Sequence, residues 1–189
     1  LTMDGGALES QIAGFGSGVW SGLGTIELTS NGGTVITNKG PSDAYSIMSY
    51  TGTINLAAGT TSATFTKKGL SELRLRNSNQ FTTLDIQEGL LRLDSTAGSE
   101  ASLGNANGLV KIAGGAVGNN FQGAALGTSA EIVSPASRSF ELTGVGGTPD
   151  SMFVLNAGMT IDGPVSGAGG DDDLARVAAR DDHPTVPGE

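Results

Sequence analysis

Residues 67–93 read KKGLSELRLRNSNQFTTLDIQEGLLRL, and their order of apolar and polar residues decides the fold. Glu72-Leu73-Arg74-Leu75-Arg76, Leu84-Asp85-Ile86 and Leu91-Arg92-Leu93 all alternate with period two. That period sets the aliphatic residues on one face of an extended strand and the charged ones on the other. Each run is only three to five residues long. Gly, Asn and Ser fill the gaps, and these residues tolerate the positive-φ corners of tight bends.

The pattern extends outward on both sides. Upstream lie Gly24-Thr25-Ile26-Glu27-Leu28, Gly33-Thr34-Val35-Ile36 and Gly52-Thr53-Ile54-Asn55-Leu56. Downstream lie Val110-Lys111-Ile112, Phe140-Glu141-Leu142, Phe153-Val154-Leu155 and Met159-Thr160-Ile161. Almost no helical period occurs before residue 170, so the chain reads as all-β. A sandwich, a barrel and a solenoid all fit short strands at near-regular spacing. Three features favour the solenoid. The strands are shorter than the usual five or six residues. Asn-Gly steps, the signature of tight hairpins, are confined to Asn31-Gly32 and Asn107-Gly108. The pattern also recurs at intervals of about 20 residues, the scale of stacked repeats. One such turn cannot stand alone. Its inward Leu or Ile side chains contribute roughly 1.5–3 kcal/mol each on burial, while ordering its backbone costs about 1–2 kcal/mol per residue. Stacking in parallel on the next turn joins the inward residues into one apolar column.

Composition narrows the function. The 189 residues include 31 Gly, one His, one Trp and no Cys, which excludes a disulfide framework, a Cys nucleophile and any site of two imidazoles. A net charge of −9 argues against nucleic acid, whose phosphates need a basic face. No apolar run approaches the length of a spanning helix, so no direct membrane insertion is expected. The chain begins at Leu1 without a basic-then-apolar signal segment, and it reads as a fragment or processed piece of a longer array. Two regions are expected. Residues 1–170 carry the strand pattern, and 171–189 (DDDLARVAARDDHPTVPGE) form a polar acidic tail that is disordered or briefly helical.

Segment 67–93 resembles the autotransporter-associated β-strand repeat, also called the passenger-associated transport repeat. The matching residues are Lys67, Gly69, Leu73, Leu75, Asn79, Phe81, Thr82, Leu84, Ile86, Gly89, Leu91 and Leu93. Leu70 and Leu90 depart from it, standing where the family more often has small or polar residues, and would be two exposed leucines. Gly98–Asn105 and Asn156–Gly170 are similar in style. The resemblance implies a right-handed parallel β-helix within a secreted passenger, displayed at the cell surface of a Gram-negative bacterium. It also implies a C-terminal translocator barrel in the outer membrane, belonging to the same parent chain; nothing in this sequence resembles that barrel. Freedom from Cys suits a chain threaded through a narrow pore.

Candidate chemistry is sparse. His183 beside Asp181 and Asp182 offers the imidazole and carboxylate of a triad, yet it sits in the polar tail. Ser17 stands in a glycine-rich stretch, Gly14-Phe15-Gly16-Ser17-Gly18, that lacks the strand and helix of a nucleophile elbow. Gly167-Ala168-Gly169-Gly170-Asp171-Asp172-Asp173 is one imperfect copy of a calcium repeat that needs successive copies. Asp85, Glu88 and Asp94 among Arg74, Arg76 and Arg92 read as outward ladders between adjacent turns rather than a lyase or hydrolase site. Trp20, Tyr45 and Tyr50 make the stretch from Phe15 to Tyr50 the best candidate binding surface. Thr51, Thr53, Thr64 and Thr66 form no evenly spaced array of the ice-binding kind. No catalytic, cofactor-binding or metal-binding residue is assigned, and no cofactor or enzyme activity is expected. The expected role is a structural stalk or spacer presenting adhesive or other units. The alternatives are a carbohydrate-binding or carbohydrate-active β-helix, such as a lyase or tailspike, or an adhesin with a cell-surface or glycan partner.

Overall fold

The computed structural model describes residues 1–11, 16–20, 23–38, 46–94, 100–113, 124–143, 152–155 and 159–167. In chain order the strands are β1 (Thr2–Met3), β2 (Ala7–Gln11), β3 (Gly16–Trp20), β4 (Ile26–Leu28), β5 (Gly33–Asn38), β6 (Ser46–Tyr50), β7 (Ile54–Leu56), β8 (Thr64–Lys68) and β9 (Glu72–Leu75). They continue as β10 (Thr83–Ile86), β11 (Gly89–Leu93), β12 (Leu109–Ile112), β13 (Ala124–Thr128), β14 (Ile132–Ser134), β15 (Ser139–Leu142), β16 (Met152–Leu155), β17 (Met159–Ile161) and β18 (Val165–Gly167). One 3-10 turn, Glu100–Leu103, is the only helix among the described residues.

The fold is all-β, and every described pairing between strands is parallel. A seven-stranded sheet runs β2-β5-β8-β10-β12-β15-β18, and a six-stranded sheet runs β3-β6-β9-β11-β13-β16. A third side holds two smaller sheets, β1-β4-β7 and β14-β17. Each pass of the chain therefore lays a strand on the seven-stranded sheet and then, through β16, one on the six-stranded sheet. The sheets stay open, with no strand pairing from one to the next among the described residues.

Period-two patterning builds the core. In the seven-stranded sheet Phe65, Leu84, Val110 and Phe140 lie in register, all fully buried. In the six-stranded sheet Met48, Leu73, Leu91 and Leu126 lie in register, all buried. Facing side chains of all the sheets join one apolar cluster. Phe65 and Phe81 stack at 5.3 Å between ring centroids within it.

All ten alternating runs read from the sequence fall on strands. The pass length departs from the expected 20 residues. Thr64 pairs with Thr83, 19 residues on, but Gly33 pairs with Phe65, 32 residues on. The alternation fixes only the strands, so the connections are free to vary in length. Leu90 is a second correction. It points away from the Leu91 column yet is 0% exposed, as is its register partner Ala125. Leu70 is half-buried.

Candidate functional site

The residues of the 67–93 motif converge on the corner between the two large sheets. Lys67 pairs with Val35 on one side and Ile86 on the other, so its side chain occupies the inward apolar column. It is 0% exposed. Its ammonium donates to three carbonyls, Gly69 O at 2.6 Å, Glu88 O at 2.8 Å and Lys68 O at 3.1 Å. A charge taken from water survives there because all three of its protons find acceptors. Burial pulls its pKa from 10.5 down to about 7, while the negative charges of Glu88 and Glu72 oppose that fall.

Two glycines make the corner. Gly69 (φ +81°) and Gly89 (φ +67°) take left-handed conformations that side chains resist. A Cβ on Gly69 would stand 2.2 Å from Thr37 O, and one on Gly89 would stand 2.4 Å from Gly69 O. The corners of successive passes thus nest directly on one another. Glu88 completes the joint by accepting from the Gly69 amide at 2.9 Å.

Beside this corner lies a charge cluster. Glu72 is 1% exposed, with Arg74 Nε at 2.5 Å and Arg92 Nε at 3.2 Å. Arg74 and Arg92 are register partners, and like charges so placed repel; Glu72 offsets that repulsion. Arg76 reaches Asp94 of the next pass at 2.9 Å. The expected ladder therefore forms through Arg76 and Asp94, whereas Asp85 accepts from Gln87 at 2.5 Å and Glu88 serves the corner.

On the third side, isolated backbone bonds and buried polar side chains take the place of strands: Gln80 N donates to Ile54 O at 2.8 Å and Asn79 N to Ala101 O at 2.9 Å. Between β7 and β14 the chain crosses this side as Asn77–Phe81 and then as the 3-10 turn. Asn79, 5% exposed, accepts from Ile54 N at 2.8 Å and donates to Ser102 O at 2.9 Å, linking three passes through one carboxamide. Thr82 accepts from Ala63 N at 3.1 Å. Arg138, 0% exposed, donates to Leu103 O and Gly104 O at 3.0 Å and pairs with Glu100, closing the end of the 3-10 turn.

Of the aromatic surface read from the sequence, the described residues place Tyr50 inside. Tyr50 is 2% exposed, and its hydroxyl lies 2.5 Å from Gly24 O. Trp20 packs, half-buried, against the core. Phe15, Tyr45, His183 and Asp171–Asp173 lie outside the described residues. Ser17 lies in β3, paired with Ile47. A shallow cleft of about 340 Å³ is lined by Thr82, Asn105, Ala106, Asn107 and Gly108. Among the described residues no three His, Cys, Asp or Glu side chains are grouped to hold a metal, and no helix is long and apolar enough to cross a membrane.

The sequence reading missed the inward turn of Lys67, although one signal for it exists: it stands two residues after Phe65 in one strand. Arg138 had no such signal in Ser137-Arg138-Ser139. Comparison with family models, curated proteins and solved structures returns no match to this chain.

Proposed function

We propose that the parallel sheets are the faces of a right-handed parallel β-helix, and that the chain is a rigid stalk or spacer of a secreted, surface-displayed passenger. A translocator barrel elsewhere in the parent chain would hold it at the outer membrane of a Gram-negative cell. One observation carries the reading. The register Leu8, Val35, Lys67, Ile86, Ile112, Leu142, Gly167 runs through all seven strands of the largest sheet without a slip. The right hand rests on the near-universal handedness of crossovers between parallel strands of one sheet.

The polar residues support a mechanical role. Lys67, Asn79, Thr82 and Arg138 are all engaged in bonds between passes. Such a stack grows by about 4.8 Å per pass, so its length is set by the number of passes. Folding can propagate along the axis from one pass to the next. In this reading, that propagation outside the cell accompanies outward transport.

The test places the chain between a signal peptide and a translocator barrel in a Gram-negative host. Intact cells are probed with antibody and with protease. Surface staining with a protease-resistant fragment is the expected result. Retention inside the cell, or binding of the soluble chain to a glycan array, would overturn the stalk reading, the latter in favour of a carbohydrate-binding β-helix.

A further inference from the structure

The two Asn-Gly steps form a matched pair. Both sit at the end of a turn in which the glycine amide donates to a carbonyl three residues back. Gly32 N reaches Thr29 O at 2.9 Å, and Gly108 N reaches Asn105 O at 2.7 Å. The attacking nitrogen for succinimide formation is thus equally engaged in both. The asparagine side chains differ. Asn31 Nδ2 donates to Asp4 Oδ1 at 2.7 Å, and Asp4 is held in turn by Thr29 Oγ1 at 2.5 Å. Asn107 is exposed, and its carboxamide makes no hydrogen bond among the described residues. It also lines the 340 Å³ cleft, which admits water.

We propose that Asn107-Gly108 is a site of spontaneous deamidation in the folded protein, and that the Asp4 clamp protects Asn31-Gly32. In the reaction Gly108 N attacks Asn107 Cγ and forms the new C–N bond of a succinimide. The Cγ–Nδ2 bond breaks, and ammonia leaves with the proton from the Gly108 amide. Water then opens the ring at either carbonyl, giving aspartate or isoaspartate at position 107. Gly108 suits this step because it has no side chain to hinder the ring. The glycine is itself required by the fold: a Cβ there would stand 2.8 Å from both Thr82 O and Asn105 O. A negative charge is thereby added at the mouth of the cleft, behind which lies Arg138 Nη1, 3.3 Å from that Cβ position. The inference does not depend on the stalk reading.

The test incubates the full chain in mildly alkaline buffer and follows both peptides by mass spectrometry, with isoaspartate scored separately. The folded chain should convert Asn107 severalfold faster than Asn31. In concentrated urea the two rates should draw together. Asp4→Ala should raise the Asn31 rate and leave the Asn107 rate unchanged, while Asn107→Gln should remove the faster signal. Equal rates in the folded chain, faster conversion of Asn31, or no conversion of Asn107 until urea is added would each overturn the proposal.

Discussion

The seven-stranded sheet and the third side solve one problem in two ways. On the sheet, backbone bonds run unbroken from β2 to β18 and hold successive passes together. On the third side the ladder is lost between β7 and β14, and the passes are joined by isolated backbone bonds, such as Gln80 N to Ile54 O and Asn79 N to Ala101 O, together with the buried side chains of Asn79 and Arg138. The difference concerns redundancy. A ladder of backbone bonds is indifferent to most side chains, since every residue brings its own donor and acceptor. Where only scattered backbone bonds remain, a joint leans on one carboxamide or one guanidinium and weakens with that residue. Substitutions should therefore cost most on the third side, less inside the sheet, and least on its outer faces.

The largest effect is expected at Arg138. Replacing it with Met keeps much of its bulk and removes every donor. Leu103 O and Gly104 O then lose their partners in the interior, and Glu100 loses its counter-charge. Breaking a buried pair from one side costs about 3–5 kcal/mol. A urea titration of Arg138→Met should show its midpoint lowered accordingly. An unchanged midpoint would remove the contrast between the two sides.

The sequence exposed the sheets far better than the joints. Leu84-Asp85-Ile86 and Val110-Lys111-Ile112 announce themselves because one face is buried and the other wet. Strands that break this rule went unread. Ala124–Thr128 is buried on both faces, so no alternation marks it. Thr64–Lys68 hides an inward cation behind an outward-looking letter. The third side was harder still. Asn79 and Thr82 were visible only as positions of a repeat, and Arg138 not at all, because a lone polar residue reveals its partners only when distant passes are brought together. Tyr50 misled for the converse reason: an aromatic with a polar tip suits a surface, but here its hydroxyl meets a carbonyl inside.

Lys67 sharpens the comparison, since it is a side-chain joint placed within the continuous sheet. Below pH about 7 both the folded and unfolded chains carry its proton, and stability owes no pH dependence to it. Between about 7 and 10.5 the unfolded chain keeps the proton and the folded one sheds it, so stability rises with pH. The rise between pH 7 and 9 should be roughly 2–3 kcal/mol. Lys67→Met should abolish that slope, and the difference between the two pH series isolates it from other groups. A slope of the opposite sign would mean that the three carbonyls hold the ammonium more strongly than burial opposes it.

The smallest effect belongs to the outer ladder. Arg76 is 44% exposed and Asp94 23%, and their contact at 2.9 Å joins two passes already paired through β9 and β11. Water competes for both groups, and holding the long arginine chain in place costs entropy. Exposed pairs of this kind contribute about 0–1 kcal/mol, and less as salt is added. Arg76→Ala should therefore shift the melting temperature slightly at low ionic strength and leave it unchanged at high. Arg74 offers Asp94 a second cation at 3.9 Å, which reduces the loss further. A large, salt-insensitive drop would place Arg76 among the joints rather than on the ladder. The outer face of the six-stranded sheet would then lean on single side chains, as the third side does in part.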